Sequence, residues 1–456
     1  MKKHLKLFAL LCIISINGFA QSDKNLNGKW TLEFTNKDIG KTNLIMEFEA
    51  TDSTFIAFTR KKADKVILGG LTSALGRTFT SSFKEGSLLR IINGKVKTSN
   101  DTTKLTGLFT SPMGNYYFEA NLINDQLNGV LLNRTRANRG SLIGKKGVQK
   151  LPLEDYPTLI NSALVVAKEK IFKPNIIQTK DWTTFEEKIT DVATKVEDDL
   201  EMVFAFFYYA GKLPISHFAF LKTDDIDTDR SSKNGQVILE EKSVDTAVLT
   251  INSFGGSAAE INEKFGTINQ KGYKNLIVDL RENSGGTIEA GMAFASNIAD
   301  SVFFGGVFLT NKWFGKHSEM PSATDYTTFS SFSEANFDLI IKGIHQTDGM
   351  MLTVIPNQNT YKGKIYILTS KTTGSTCEPI VYALKQRKLA TIIGETTAGA
   401  MLNGEYFALE KGFKIIVPTA DYYTADDYRI DQKGVKPDIE TKKEKALTHV
   451  LTELIK

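Results

Sequence analysis

Between Gly28 and about Gly147, apolar and polar residues alternate in short runs such as KWTLEFT, NLIMEFEA, STFIAFTR, NYYFEANLI and LNGVLLNR, separated by Asn, Asp and Gly turns. A period of two places every second side chain on one face of a strand. The pattern therefore predicts an antiparallel β-sandwich or small barrel over residues 25–150. Leu151–Leu153 and Pro157 mark a linker, after which the period changes. From Tyr156 to Ile171 and from Trp182 to Tyr209 apolar residues recur at helical spacing, which predicts a short helical domain over residues 155–222.

From Gln236 the pattern changes again. Apolar runs VILEE, TAVLTI, NLIVDL, KIYILT, ATIIGE and FKIIVP alternate with helical stretches such as AAEINEKFGTINQKG and TIEAGMAFASNIAD. Strands alternating with helices predict an α/β layer with a largely parallel sheet over residues 236–456. At 456 residues the chain has room for two or three such cores. The expected whole is multidomain: an all-β N-terminal domain, a helical segment and a C-terminal α/β domain.

The first residues, MKKHLKLFALLCIISINGFAQ, join a basic start to an apolar run from Leu7 to Ile16, with Gly18 and Ala20 three and one places before a cut. This predicts an export signal over residues 1–20, and thus a periplasmic or extracellular protein. The run is shorter than the roughly 20 residues that span a bilayer, so no stable membrane insertion is expected once the signal is removed. Leu10 and Leu11 before Cys12 are not the small residues that a lipidation site needs.

Loss of the signal would remove Lys2, Lys3 and Lys6, bringing the formal charge from +4 to +1. A balance so near neutral gives no footing for a polyanion, and no nucleic-acid partner is expected. The positive charges of RTRANRG, near Arg134–Arg139, read as a solvated hairpin. Cys12 would leave too, so the mature chain would keep Cys377 alone and form no internal disulfide. Cys377 itself reads as a small buried hydrophobe.

Four pieces of the second half carry chemistry. LIVDLRENSGGTIEAG, from Leu276 to Gly291, runs a strand into Gly285 and Gly286 and then into a helix. Paired glycines there let backbone N–H groups face a ligand, as an oxyanion hole requires. In ILTSKTTGSTCEPIVYAL, Ser375 falls between a strand and a helix, and the Thr376 N–H at the helix start would favour developing negative charge. Taken alone, Ser375 could equally be a helix cap. The third piece is GETTAGA, Gly394–Ala400, and the fourth is DQKGVKPDI, Asp431–Ile439.

In this order the four pieces resemble the S41 serine peptidases, which include the C-terminal processing peptidases and the tricorn core proteases. The likeness extends from about Tyr156 to Ile439. It implies a crotonase-like catalytic fold and a nucleophile three residues before a glutamate, here Ser375 before Glu378. It also implies an oxyanion hole from a glycine of the Gly285–Gly286 turn and from Thr376. The lysine branch carries its base in a glycine-lysine-glycine step, which here reads Gly399, Ala400, Met401. The lysine is absent. The tricorn branch takes its base from a Ser-His pair, matched by Ser216 and His217 in LPISHFAF, and an acid from the final motif, matched by Asp431 where glutamate is more usual.

In that scheme His217 accepts the Ser375 proton, Asp431 orients and charges the imidazole, and Ser216 assists. Lys371, four residues before Ser375, reads as a solvated loop charge. His317, His345 and His449 have no spaced partners and read as surface residues, so neither metal nor cofactor is expected. About twenty residues separate Phe218 from the strand at Val237, too few for the PDZ domain common in processing peptidases. The resemblance thus implies an exported endopeptidase acting on peptides or unfolded protein. The alternatives are a non-catalytic binding protein on the same fold, or an esterase.

Overall fold

A computed structural model describes residues 26–455, apart from 37–39, 52, 60–88, 100–101, 112–113, 134–135, 148–153, 197, 223–235 and 333–336. The export signal, the linker at Leu151–Leu153 and Arg134 lie outside the described residues. The chain divides into two compact units. One comprises the residues up to Thr158 with Lys188–Tyr208 and Leu221–Asp224; the other comprises Leu159–Glu187, Tyr209–Phe220 and Asp225–Lys456.

In the first unit, strands β1 (Gly28–Asn36), β2 (Gly40–Thr51), β3 (Thr54–Phe58), β4 (Arg90–Ser99), β5 (Thr102–Ser111), β6 (Gly114–Ile123), β7 (Gln126–Leu132) and β8 (Asn138–Lys146) form a closed barrel. All neighbours are antiparallel, and β1 closes the ring against β8, with Leu32 opposite Gly144. Closure removes the open sheet edges that a sandwich would leave. The alternation read from the sequence decides what faces inward. Trp30, Leu32 and Phe34 of β1 are buried, as are Leu44, Met46 and Phe48 of β2. The interior is packed with side chains, and Leu200 and Phe204 of the helix Asp199–Ala210 join the same cluster.

The segment expected as a separate helical domain is divided between the two units. Its apolar faces need partners, and they find different ones. Leu200 and Phe204 extend the barrel core, whereas the Trp182 and Phe185 rings meet Phe218 at 5.6 and 5.4 Å. Strand β9 (Ala219–Lys222) follows directly.

The second unit carries two sheets. Strands β10 (Val237–Ser243), β11 (Thr246–Ile251), β12 (Asn275–Asp279), β16 (Lys364–Thr369), β17 (Thr391–Gly394) and β20 (Ile439–Glu440) lie in that order. All are parallel except β10 against β11. In the other sheet the order is β14 (Ser330–Phe332), β15 (Gly349–Val354), β13 (Phe303–Thr310), β19 (Phe413–Thr424) and β18 (Leu402–Ala408). Strands β12, β16 and β17 are adjacent and parallel, so their C-terminal ends, at Asp279, Thr369 and Gly394, open on one side. Loops at the carboxyl ends of parallel strands are where α/β folds place their sites. Among the described residues no helix is long and apolar enough to cross a membrane.

Candidate active site

Three of the sequence motifs leave those strand ends, the fourth leads into β20, and hydrogen bonds stitch them together. The Gly374 N–H donates to the Asn283 carbonyl at 3.2 Å, and the Ala398 N–H to the Thr373 carbonyl at 2.8 Å. The Gln432 N–H donates to the Gly399 carbonyl at 2.7 Å. Thr397 and Val435 exchange two bonds, at 3.1 and 2.7 Å. Buried loops need such pairing, because each unmatched backbone group would forfeit its water without return.

Ser375 sits at φ 52°, in the left-handed region that a residue with a Cβ seldom adopts. It begins the turn into the helix Cys377–Gln386, and it is half-buried. Gly285, at φ 112°, lies against it, and a Cβ on Gly285 would come within 2.6 Å of the Ser375 Cβ. A glycine is therefore required there by contact as well as by conformation.

The strained turn is fixed by Glu378, a fully buried carboxylate. One of its oxygens accepts from the Thr397 hydroxyl and the Gly399 N–H at 2.6 and 2.7 Å; the other accepts from the N–H groups of Ala400 and Ser375 at 2.8 and 3.1 Å. Burial pushes this carboxyl above its usual range, while the four donors oppose that. In the sequence Glu378 served as a spacing marker; in the fold it ties the Ser375 turn to the third motif. Ala400, at the position where the lysine branch carries its base, spends its N–H on this carboxylate.

The two glycines differ. The Gly285 N–H donates to Asn283 Oδ1 at 2.9 Å and is spent. The Gly286 N–H makes no hydrogen bond among the described residues, and neither does that of Thr376. The Thr376 hydroxyl donates to the Gly286 carbonyl at 2.9 Å, which holds the two unspent N–H groups in neighbouring turns. Beyond Thr376 opens a small apolar cavity of about 40 Å³, walled by Ile288, Met292, Leu352, Ile380, Met401 and Tyr422.

Ser216 and His217 lie between buried Ile215 and Phe218, which anchor the turn. His217 has φ 54°, and it packs over Gly404, whose missing Cβ would lie 3.0 Å from the His217 Cβ. Its Nδ1 is hydrogen-bonded to the Ser216 hydroxyl at 2.9 Å. Burial holds the imidazole below its ordinary pKa, and the charge of Asp431 pulls the other way. No hydrogen bond joins Ser375 Oγ to His217 among the described residues. Asp431 is fully buried and likewise makes no hydrogen bond to His217: its Oδ1 accepts from the Met401 N–H at 3.1 Å and its Oδ2 from Arg429 at 3.2 Å. Thus Ser216 fills the orienting contact expected of Asp431, which acts on the ring through its charge.

His345 is exposed, as read from the sequence, but it is not without a partner. Its Nε2 lies 2.8 Å from Glu405 Oε2, a buried carboxylate also bound by Thr419 and Asn403, so it has a partner brought by the fold from β18. His317 stacks on Trp313 at 4.0 Å. Lys371 is exposed, as expected. Cys377 is buried, and burial pushes its thiol well above the ordinary range, so it is no nucleophile. Among the described residues no cluster of metal-ligating side chains occurs.

Residues 245–441 match the model of peptidase family S41. Over this segment the chain is similar to the S41 peptidases. Over 225 residues the chain is 24% identical to a carboxyl-terminal-processing protease of Picosynechococcus sp., covering 48% of this chain and 46% of the relative. Over 191 residues it is 27% identical to one of Synechocystis sp., covering 42% and 36%. The chain thus spans less than half the length of these curated relatives. Among solved structures, a lipoprotein from Streptococcus agalactiae overlays with a TM-score of 0.44 at 15% identity, covering 67% of this chain and 97% of that one. Within the matched residues 245–441 lie Ser375, Glu378, Asp431, both glycines and Thr376; His217 and Ser216 precede them.

Proposed function

We propose that this protein is an exported serine endopeptidase with a crotonase-like catalytic core, cleaving peptides or unfolded protein through an acyl-enzyme at Ser375. The observation that carries this reading is the strained Ser375 turn flanked by the two unspent N–H groups of Gly286 and Thr376. A helix start with free donors stabilises negative charge where an oxyanion would form.

His217 is the general base. Burial keeps it neutral near pH 7, as a base must be before it acts. With the Nδ1 proton donated to Ser216 Oγ, the Nε2 lone pair is left for the Ser375 proton. Ser375 Oγ then bonds to the substrate carbonyl carbon, and the oxyanion is met by Gly286 and Thr376. Imidazolium, stabilised by Asp431, returns the proton to the departing amine as the C–N bond breaks, and water hydrolyses the ester by the same route. The small apolar cavity beside Thr376 suits a small nonpolar side chain on the acyl side of the cut bond, since a charge there would lose its water unpaired.

Fluorophosphonate labelling of the full chain tests the reading. Wild type is expected to label at neutral pH, Ser375→Ala not at all, and His217→Ala at least about 100-fold more slowly, in line with the usual worth of a general base. Unlabelled wild type would sink the peptidase reading, and labelling that survives His217→Ala would sink the base assignment.

A further inference from the structure

We infer that Arg429 and Asp421 are positioning residues for the acid of the site, Arg429 holding the Asp431 carboxylate beside His217 and Asp421 holding Arg429. The inference rests on the reading of His217 as base and Asp431 as its acid.

Asp431 has no exposed surface, and its two oxygens are aimed by two donors, the Met401 N–H and Arg429 Nη2. The same guanidinium donates through Nε to Asp421 Oδ2 at 2.7 Å and through Nη1 to the Asp431 carbonyl at 3.4 Å. A planar fork with several donors can hold two carboxylates at a fixed angle, which an ammonium cannot do. Asp421 belongs to the long strand β19, paired on both sides by β13 and β18. Contacts therefore run from a rigid strand, through Arg429, to a loop carboxylate whose direction matters.

Asp421 is only 2% exposed, and its Oδ1 has no hydrogen-bond partner among the described residues. An unmatched buried carboxylate oxygen costs stability. Its charge has another effect. Two buried carboxylates share one guanidinium, so Arg429 cannot neutralise Asp431 fully while Asp421 is ionised. Remove the Asp421 charge and Arg429 is left to Asp431 alone, whose pull on protonated His217 weakens. Besides these groups, the Tyr423 hydroxyl faces Asp421, donating at 3.1 Å, and the Ser216 hydroxyl faces His217. Burial, opposed by Arg429, raises Asp421 to about 6, so this charge changes near neutral pH.

The test is the pH dependence of fluorophosphonate inactivation for the full-length wild type, Asp421→Asn and Arg429→Lys, each checked for native circular dichroism. Asp421→Asn preserves shape and removes charge. It is expected to slow inactivation about tenfold and to move the acid limb to lower pH by up to about one unit, because a less stabilised imidazolium loses its proton sooner. Arg429→Lys keeps the charge and loses the fork, and is expected to slow inactivation at least as much. If both variants fold and their profiles superimpose on wild type, the positioning role is overturned while the peptidase reading stands. Should Arg429→Lys fail to fold, Asp421→Asn decides the matter. A wild type that does not label overturns both.

Discussion

Inside the barrel, Trp30, Phe48 and Phe118 are enclosed by apolar side chains, and the polar residues that its described strands bury are Thr42 and Thr103. The α/β unit encloses Glu378, Asp421 and Asp431 as well as its apolar core. The backbones differ in the same way. Left-handed residues described in the barrel unit are Asn93, at a bulge inside β4, and Asn124, Asp125 and Arg136, in turns between strands, whereas those of the α/β unit include Ser375 and His217. Buried charge and strain each cost stability, and they persist where the surroundings over-determine them. The barrel strands are thus held by the hydrophobic effect almost alone, the charged residues buried in that unit being Asp199 and Glu201 of its helix, whereas the α/β unit spends part of its stability on holding a few groups of the candidate site in place.

The sharpest break in that contrast is Glu378→Leu. Four donors would lose their acceptor in a space closed to water, at about 1–3 kcal/mol each, partly recovered by the apolar replacement. A loss on the order of 5 kcal/mol is expected in denaturant unfolding of the α/β unit, with Ser375 labelling abolished. Glu378→Gln, which keeps one carbonyl oxygen, should recover about half of the stability. A cost under about 1 kcal/mol for the leucine variant would show that the carboxylate is not what holds the turn.

The matching test in the barrel is Trp30→Ala. It removes a fully buried ring, with an indole N–H bonded to the Leu26 carbonyl at 2.8 Å, and should cost about 4 kcal/mol through lost burial and the cavity left. The Ser375 labelling rate of the protein that remains folded should not change. A labelling rate that falls while stability holds would put the barrel in the chemistry and end the contrast.

Much of this was legible in the sequence, and the reason is periodicity. Strict alternation in KWTLEFT and NLIMEFEA announces half-buried strands, and NLIVDL and KIYILT announce strands covered on both faces. Alternation reports which face is buried but not whether the sheet closes, so sandwich and barrel could not be told apart. At the proposed site, Ser375, Gly286 and Thr376 were legible as candidates because short motifs keep neighbours in sequence close in space. Asp421 and Arg429 were not, since nothing about a single aspartate in a strand shows that an arginine eight residues later folds back on it. His345 was missed for the same reason: Glu405 lies 60 residues away and is delivered by β18.

That last pair gives the smallest effect. Glu405 is nearly as buried as Asp431, yet its other oxygen keeps Thr419 and Asn403 when the imidazole is lost. The His345 side chain is 43% exposed, so water can take its place at Oε2. His345→Ala should then cost less than about 1 kcal/mol in thermal unfolding, as partly exposed pairs do, with labelling of Ser375 unaffected. Glu405→Ala should cost more, because it strands Thr419 and Asn403 inside the protein, where no solvent replaces the missing acceptor. If the histidine variant proved the more damaging of the two, Glu405 would depend on His345 as Asp431 depends on Arg429. The distinction between a carboxylate with partners to spare and one aimed by a single side chain would then fail.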